Sequence, residues 1–459
     1  MFGDKGSMLK KILIANRGEI ALRIIRTCKE MGIGTMAVYS DADRHSLHVR
    51  YADEAVNIGP PQSRKSYLDI TKIIETARTG GADAIHPGYG FLSENEKFAR
   101  SCRENDIVFI GPSPETIALA GNKSEARKTL GRLGLPVIPG SADVISSPDE
   151  AVSIAETLGY PVIIKASGGG GGRGMRIVHN EEDLLLGLKV ASGEARVAFG
   201  NPDLYIEKYL QNPRHIEIQI LADHFDHYVH LGERECSIQK RHQKLIEESP
   251  SSFVDEGLRA EMCHTALQIA RAINYTSAGT VEFLVDQQKR FYFMEVNSRI
   301  QVEHPVTEMV TGVDMIRQQI VAASGGKLEM TQDDIRQNGW SIECRINAED
   351  PEDNFVPSPG VVRGLILPGG PGVRVDTHVY DSWEVSPFYD SLIAKVIVWG
   401  RNRETAVRRM QRALSEFRID GMKVTTSFHE KVLRNADFIR GVFDTHFLDH
   451  FNKSTGDSK

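Results

Sequence analysis

The pattern of apolar and polar positions changes twice along this chain, and each change marks a different kind of structure. Residues 11–15 (Lys-Ile-Leu-Ile-Ala) form an apolar run, and the stretch over 19–31 then places Ile20, Ile24 and Cys28 on one helical face. Short apolar runs at 35–39, 82–85 and 107–110 read as further strands with helices between them. Strand and helix in alternation predict a doubly wound parallel sheet. Its first turn, Asn-Arg-Gly-Glu at 16–19, lacks Gly-x-Gly-x-x-Gly, which argues against a nicotinamide site.

From residue 161 the texture turns to hairpins. Strands are predicted at 162–165, 175–178, 204–207 and 215–221, and a pair at 280–285 and 291–297. Beyond 338 comes a mixed segment with strands near 343–346 and 391–398 and a helix over 404–416. The chain as a whole is predicted to be multidomain, α/β at its start and α+β beyond.

The sharpest alternation runs from 294 to 303. Met294, Val296, Ile300 and Val302 fall on one side, and Glu295, Asn297, Arg299, Gln301 and Glu303 on the other. An extended backbone would bury the first set and present carboxylates, amides and a guanidinium in one row. Paired carboxylates suit a divalent cation, while arginine and amides suit a small oxyanion. Glu282 belongs to the preceding strand. A two-residue turn would set it opposite Glu295 and a four-residue turn diagonal to it, whereas a three-residue turn would separate their faces. Glu282, Glu295 and Asn297 are therefore the candidate ligands for Mg²⁺ or Mn²⁺.

Two further segments carry chemistry. Five glycines at 168–172 sit between two strands, so their N–H groups can close over phosphate oxygens, with Lys165 adding positive charge. No Gly-Lys-Ser/Thr follows, which excludes a Walker-type loop. Residues 237–244 (Ser-Ile-Gln-Lys-Arg-His-Gln-Lys) concentrate basic groups, and His242 and Lys244 are candidates for phosphate or bicarbonate.

Composition narrows the class. At 459 residues, with 41% hydrophobic and 25% charged residues, the chain has an ordinary globular make-up. A net charge of −7 argues against polyanion binding, and no nucleic-acid role is expected. No apolar run approaches the ~20 residues that span a bilayer, so no membrane role is expected either. The polar start lacks a signal region and predicts a cytoplasmic enzyme, with Met8 as the expected natural start. The five cysteines are scattered, without zinc-site spacing, and read as reduced core filler. Lys423, in Gly-Met-Lys-Val at 421–424, reads as an ordinary loop lysine and not a biotin attachment site.

With these residues in hand the chain resembles biotin carboxylase, an ATP-grasp enzyme family, over 8–451. The resemblance is carried by Ile-Ala-Asn-Arg-Gly-Glu-Ile-Ala at 14–21, His-Pro-Gly-Tyr-Gly-Phe-Leu-Ser-Glu-Asn at 86–95 and the glycine segment at 165–174. Arg-His-Gln-Lys at 241–244 and Arg-Ile-Gln-Val-Glu-His-Pro-Val-Thr-Glu at 299–308 complete it. Asn122 and Val-Asn-Ser at 296–298 depart from the family pattern without removing a proposed ligand.

The resemblance implies a Rossmann-like N-terminal domain at 1–120, an ATP-grasp domain at 121–328 with a lid near 137–209, and a C-terminal domain at 329–459. It implies that ATP phosphorylates bicarbonate to carboxyphosphate, whose CO₂ passes to biotin as acceptor. By the same match Lys123, Lys165, Gly171 and Gly172 contact ATP phosphates. Glu207, Lys208, Tyr209 and Leu210 form the adenine strand, and His215, Gln239 and His242 flank the nucleotide. Lys244, Arg299, Gln301 and the Val302 N–H hold bicarbonate, Glu303 is its general base, and Arg345 faces biotin. The implied cofactors are ATP with two Mg²⁺ or Mn²⁺ ions. The implied partners are a biotin carboxyl carrier protein, carboxyltransferase subunits and a second copy of the chain in a homodimer. The complex served would be acetyl-CoA carboxylase in fatty acid synthesis, another acyl-CoA carboxylase or pyruvate carboxylase. Another ATP-grasp ligase, joining an activated carboxylate to an amine, is the alternative enzyme, and a non-catalytic nucleotide-binding protein the alternative class.

Overall fold

A computed structural model describes residues 9–122, 130–141, 143–166, 175–199 and 201–454. The first strands are β1 (Lys11–Ile14), β2 (Gly34–Tyr39), β3 (Glu54–Asn57), β4 (Ala84–His86) and β5 (Val108–Phe109), all parallel in the order β3-β2-β1-β4-β5. The apolar run of β1 is buried on both faces. Ile12 and Ile14 pack with Ile20, Ile24 and Cys28 of helix Gly18–Glu30, while Leu13 packs with Ile73, Ile74 and Phe98 on the other side. That is the expected doubly wound sheet. β3 is an addition to it: as an edge strand it is largely exposed and carries no apolar run for patterning to detect. Strand order reverses between β1 and β4, so the crevice for a ligand lies beyond their carboxyl ends.

A three-stranded antiparallel sheet follows, with β6 (Val162–Ala166) between β7 (Met175–Val178) and β8 (Leu204–Lys208). Val162, Ile164, Leu204 and Ile206 face a small core of their own, shared with Ala151, Ala155 and Leu184. The glycine run lies outside the described residues, as do Lys123, Gly171 and Gly172.

The largest sheet has eight antiparallel strands. Its members are β9 (Arg214–Ala222), β10 (Tyr228–Lys240), β11 (Gln243–Ser249), β12 (Ser277–Val285), β13 (Phe291–Asn297), β14 (Trp340–Asn347) and the strands Leu392–Gly400 and Val373–Thr377. They run β13-β12-β9-β10-β11-β14, then Leu392–Gly400 and Val373–Thr377. Strands from beyond residue 338 thus continue the sheet begun at 214, a continuity that local patterning does not reveal.

One local expectation is met by an unforeseen route and another is corrected. The β12–β13 turn has three residues: Lys289 N donates to Asp286 O at 3.0 Å and Asp286 N to Arg290 O at 2.9 Å, with Lys289 at φ 62°. That register alone would set Glu282 opposite Met294. A β-bulge between Phe283 and Glu282 shifts the pairing by one residue and brings Glu282 opposite Glu295. The alternation from 294 also stops being a strand at Asn297. Residues 299–303 form a turn into helix His304–Thr311, and Val302 is half-buried and lines a cavity, not the core. The turn that joins β10 to β11, Arg241 (φ 48°) and His242 (φ 66°), holds two non-glycine residues in left-handed conformation.

All five cysteines are free and buried. Lys423 is an exposed loop residue. Among the described residues, no helix is long and apolar enough to cross a membrane.

Buried histidines make a prediction about pH. His48 and His429 are fully buried, and burial lowers each imidazole from 6.5 to about 4. Between those values the unfolded chain binds more protons than the fold. Stability from the two groups is therefore complete above 6.5 and is lost as pH falls toward 4. Urea midpoints should decline through that window, and His48→Gln should lessen the decline. A midpoint indifferent to pH there would contradict this account.

Candidate active site

Strand pairing builds a row of charge across the large sheet. Glu295 on β13 pairs with Glu282 on β12, Glu282 with Glu217 on β9, and Glu217 with Arg234 on β10. Three neighbouring carboxylates would repel one another without cations. Two are supplied. Fully buried Arg234 donates from Nε to Glu217 Oε1 (2.5 Å), from Nη1 to Gln219 Oε1 (2.6 Å) and Thr307 Oγ1 (3.0 Å), and from Nη2 to Thr280 Oγ1 (3.1 Å) and Gln301 Oε1 (2.6 Å). All five guanidinium donors are thereby used.

Lys244 is the second cation. Its Nζ donates to Glu217 Oε2 (2.5 Å), Glu303 Oε1 (2.6 Å) and Glu282 Oε1 (2.9 Å). Burial works against its ammonium, but the three carboxylates hold its pKa well above the usual lysine range. Burial likewise opposes ionisation of Glu282, and Lys244 and His215 outweigh it, keeping Glu282 well below the ordinary carboxylate value. Glu303 is also lowered: burial would raise it, but Lys244, Arg345 and Arg234 prevail.

The turn at 299–303 closes the site. Gln301 Nε2 donates to Glu282 Oε1 (2.8 Å), an orientation set by Arg234 holding its Oε1. Asn297 Nδ2 donates to the same Glu282 oxygen (2.9 Å), while its Oδ1 accepts from Arg299 Nη2 (3.0 Å). Arg299 Nε reaches Glu94 Oε2 at 3.0 Å. Glu303 immediately precedes helix His304–Thr311 without a side-chain bond to its first turn, and its Oε2 accepts from Arg345 Nη2 at 2.9 Å. Lys395, on Leu392–Gly400, donates to the Val302 carbonyl at 2.8 Å and so fixes the peptide that precedes Glu303.

A cavity of about 480 Å³ opens here, lined by Arg299, Val302 and Arg345 on one side. Its other wall is Asn16, Gly18 and Tyr89, from the carboxyl ends of β1 and β4. The crevice predicted by strand order thus opens onto Arg299, Val302 and Arg345, and Arg299 and Arg345 bond Asn297 and Glu303 of the charged network behind them.

The nucleotide residues expected from the resemblance are placed as follows. Lys165 Nζ bonds Glu207 Oε2. Lys208 Nζ donates to Gly159 O (2.7 Å), Tyr209 Oη meets His446 Nε2 (3.1 Å), and Leu210 is half-buried. Gln239 Nε2 lies 2.6 Å from His215 Nδ1, which leaves the other ring nitrogen 2.9 Å from Glu282 Oε2. His242 is exposed at its hairpin tip. The structure therefore joins His215, Gln239, Lys244, Glu282, Asn297, Arg299, Gln301, Glu303 and Arg345 in one network.

Glu217, Arg234, Glu94 and Lys395 are members of this network that sequence reasoning misses. A signal for Glu217 is present: His215, Glu217 and Gln219 alternate with Ile216, Ile218 and Ile220, which enter the core.

Three family models match the chain: biotin carboxylase N-terminal domain at 8–117, carbamoyl-phosphate synthase L chain ATP-binding domain at 122–331, and biotin carboxylase C-terminal domain at 343–450. The chain is 54% identical to biotin carboxylase 1 of Bacillus subtilis over 446 residues, covering 97% of this chain and 99% of that protein. The chain belongs to the biotin carboxylase family. It is an ATP-dependent ligase with a parallel N-terminal domain, an ATP-grasp domain and a C-terminal domain. A pyruvate carboxylase subunit of Methanothermobacter thermautotrophicus is 52% identical, covering 97% of this chain and 91% of that one. Among solved structures, the biotin carboxylase domain dimer of Hydrogenobacter thermophilus 2-oxoglutarate carboxylase, with MgADP, ADP and bicarbonate, matches with a TM-score of 0.92. It is 48% identical, covering 99% of this chain and 100% of that chain.

The donor types suit a divalent ion, while in this structure Asn297 Oδ1 accepts from Arg299 and Glu282 Oε1 from Lys244, Asn297 and Gln301. Glu282, Glu295 and Asn297 carry hard oxygens on adjacent strands, the preference of Mg²⁺ or Mn²⁺.

Proposed function

We propose that this chain carboxylates biotin on a biotin carboxyl carrier protein, using ATP and bicarbonate, as the first half-reaction of a biotin-dependent carboxylase. The observation that carries the reading is Glu303. Its carboxyl, held below the usual range, accepts from Lys244 and Arg345 and directly follows Val302, which lines the cavity together with Arg345 and Arg299.

Bicarbonate is a planar anion, matched by the Arg299 guanidinium, the Lys244 ammonium, the Gln301 amide and the Val302 N–H. As it enters, it competes with Glu303 for the Lys244 donors, which relieves the stabilisation of ionised Glu303 and strengthens it as a base. Glu303 then takes the bicarbonate proton, and the carbonate oxygen attacks the γ-phosphorus of ATP. Lys123, Lys165, Gly171 and Gly172 are assigned to the phosphates, and Glu207, Lys208, Tyr209, Leu210, His215, Gln239 and His242 to the rest of the nucleotide. A divalent ion at Glu282, Glu295 and Asn297 would supply charge neutralisation for the phosphates. Carboxyphosphate breaks down to CO₂ and phosphate, and biotin N1′ takes up the CO₂. Arg345 stabilises the charge that develops on the biotin ureido oxygen once N1′ loses its proton.

For the complex served, we infer acetyl-CoA carboxylase in fatty acid synthesis, and for the chain a cytoplasmic homodimer working with carrier and carboxyltransferase subunits. Relatives at similar identity include a biotin carboxylase, a pyruvate carboxylase subunit and a 2-oxoglutarate carboxylase domain, so pyruvate and 2-oxoglutarate are the competing acceptors.

Purified protein should hydrolyse ATP only with bicarbonate present, and free biotin should stimulate it. ATP hydrolysis stimulated by amine acceptors, with no effect of biotin or bicarbonate, would favour a carboxylate–amine ligase instead. Carboxylation assays with copurified partner chains, run against acetyl-CoA, pyruvate and 2-oxoglutarate, identify the acceptor.

A further inference from the structure

Behind Arg345 lies a pair of acidic side chains that the reaction scheme leaves unused. Glu247 on β11 and Glu343 on β14 are direct cross-strand partners, and both are fully buried. Like charges in that position oppose each other. Glu247 Oε1 accepts from Arg345 Nε at 2.6 Å. The other three carboxyl oxygens, Glu247 Oε2 and both of Glu343, have no hydrogen-bond partner among the described residues.

The surrounding charges cannot neutralise two carboxylates. From Leu392–Gly400 comes Lys395, whose Nζ is committed to the Val302 carbonyl (2.8 Å) and Glu19 Oε1 (3.0 Å). Lys244, on β11, is spent on Glu217, Glu282 and Glu303. From the start of helix His304–Thr311, Glu303 adds a further negative charge, while His304 is buried and held neutral, its pKa lowered by burial and by Lys395. On β14 itself only Arg345 is cationic among the groups that face the pair, and it is already shared between Glu247 and Glu303. A buried carboxylate with no donor is strongly disfavoured, whereas a neutral acid can donate across the strand pair.

We propose that Glu247 and Glu343 hold a single proton between them and, as positioning residues, anchor Arg345 toward the cavity. Burial pushes both carboxyls up, Glu343 furthest and Glu247 to about 7, which agrees with a proton resident on Glu343. With one proton the pair keeps one negative charge, enough to hold Arg345 Nε. Arg345 Nη2 remains able to leave Glu303 for an incoming biotin oxygen. Two negative charges would draw the guanidinium back, and none would release it.

The kinetic consequence rests on the assignment of Arg345 to biotin, but the protonation does not. Infrared spectra of the full chain at neutral pH should contain the carbonyl stretch of a protonated carboxyl, shifted in D₂O. Glu343→Gln should lose that signal yet keep biotin-dependent turnover within about twofold, because an amide can make the same donation. Glu247→Gln should raise the KM for free biotin by about tenfold to a hundredfold, with bicarbonate-dependent ATP hydrolysis in the absence of biotin little changed. Glu247→Asp should recover part of the loss.

Wild-type protein with no protonated-carboxyl signal would overturn the shared proton, and so would a signal that survives Glu343→Gln. Equal losses of biotin-dependent and biotin-independent turnover in Glu247→Gln would overturn the positioning role. If the infrared result holds while biotin has no effect on the wild-type enzyme, the reading of Arg345 fails and the proton pair stands.

Discussion

Glu303→Gln is expected to slow bicarbonate-dependent ATP hydrolysis by about 10²–10⁴-fold, the range a positioned general base contributes. Glutamine keeps the shape of Glu303 and one acceptor oxygen for Lys244 or Arg345, which reach it at 2.6 and 2.9 Å. What it cannot do is accept the proton of bicarbonate. Without that transfer the attacking oxygen remains poorly nucleophilic. Nucleotide affinity should change little, since Lys165 and the adenine strand assigned to ATP lie in the three-stranded sheet, away from Glu303. Titration of the variant with ATP and single-turnover measurement of phosphate release separate the two effects. A variant that binds ATP normally and turns over at the wild-type rate would remove Glu303 from the chemistry.

Replacing Lys244 with alanine should destabilise the fold by about 3–5 kcal/mol, the cost of leaving buried charge without its partner. Three carboxylates share that ammonium, at 2.5, 2.6 and 2.9 Å, and Glu282 has no arginine partner besides it among the described residues. The dependence should be visible in the pH profile. Glu282 and Glu303 are depressed below their unfolded value of 4.5. Their contribution is therefore present above that pH and is lost as pH falls below it. The gap between wild type and Lys244→Ala should be largest near neutrality and should narrow under acid conditions. Added Mg²⁺ should stabilise the variant more than the wild type, because the freed carboxylates can accept the ion in place of the ammonium. Denaturant midpoints with and without the metal measure this. An unchanged midpoint at neutral pH would mean that Lys244 is not the counter-ion of the cluster.

Much of the site is legible because strands write their faces into the chain. Glu282, Glu295 and Asn297 can be read as one group, since alternate positions share a face. The same rhythm over 215–221 marks Glu217, although nothing local says which partners it meets. The β12–β13 register is beyond reach: the three-residue turn by itself sets the wrong pairing, and the bulge beside Phe283 corrects it. Such a shift leaves no periodic trace. Val302 is misplaced by the pattern for a related reason, as the backbone leaves the extended state at Asn297 while the alternation of residue types continues.

By itself, then, the chain determined the parallel sheet at the start, the hairpins that follow and the kinds of side chain proposed to hold an anion and a metal. Those properties depend on near neighbours, through the two-residue and 3.6-residue periods of strand and helix. Only the tertiary structure decided that Lys244 stands among Glu217, Glu282 and Glu303, and that Arg345 and Lys395 reach the same turn from strands more than 40 residues further along. Neighbour order in a sheet is settled by which buried faces and which buried charges can be satisfied together, and that balance is struck across the whole fold.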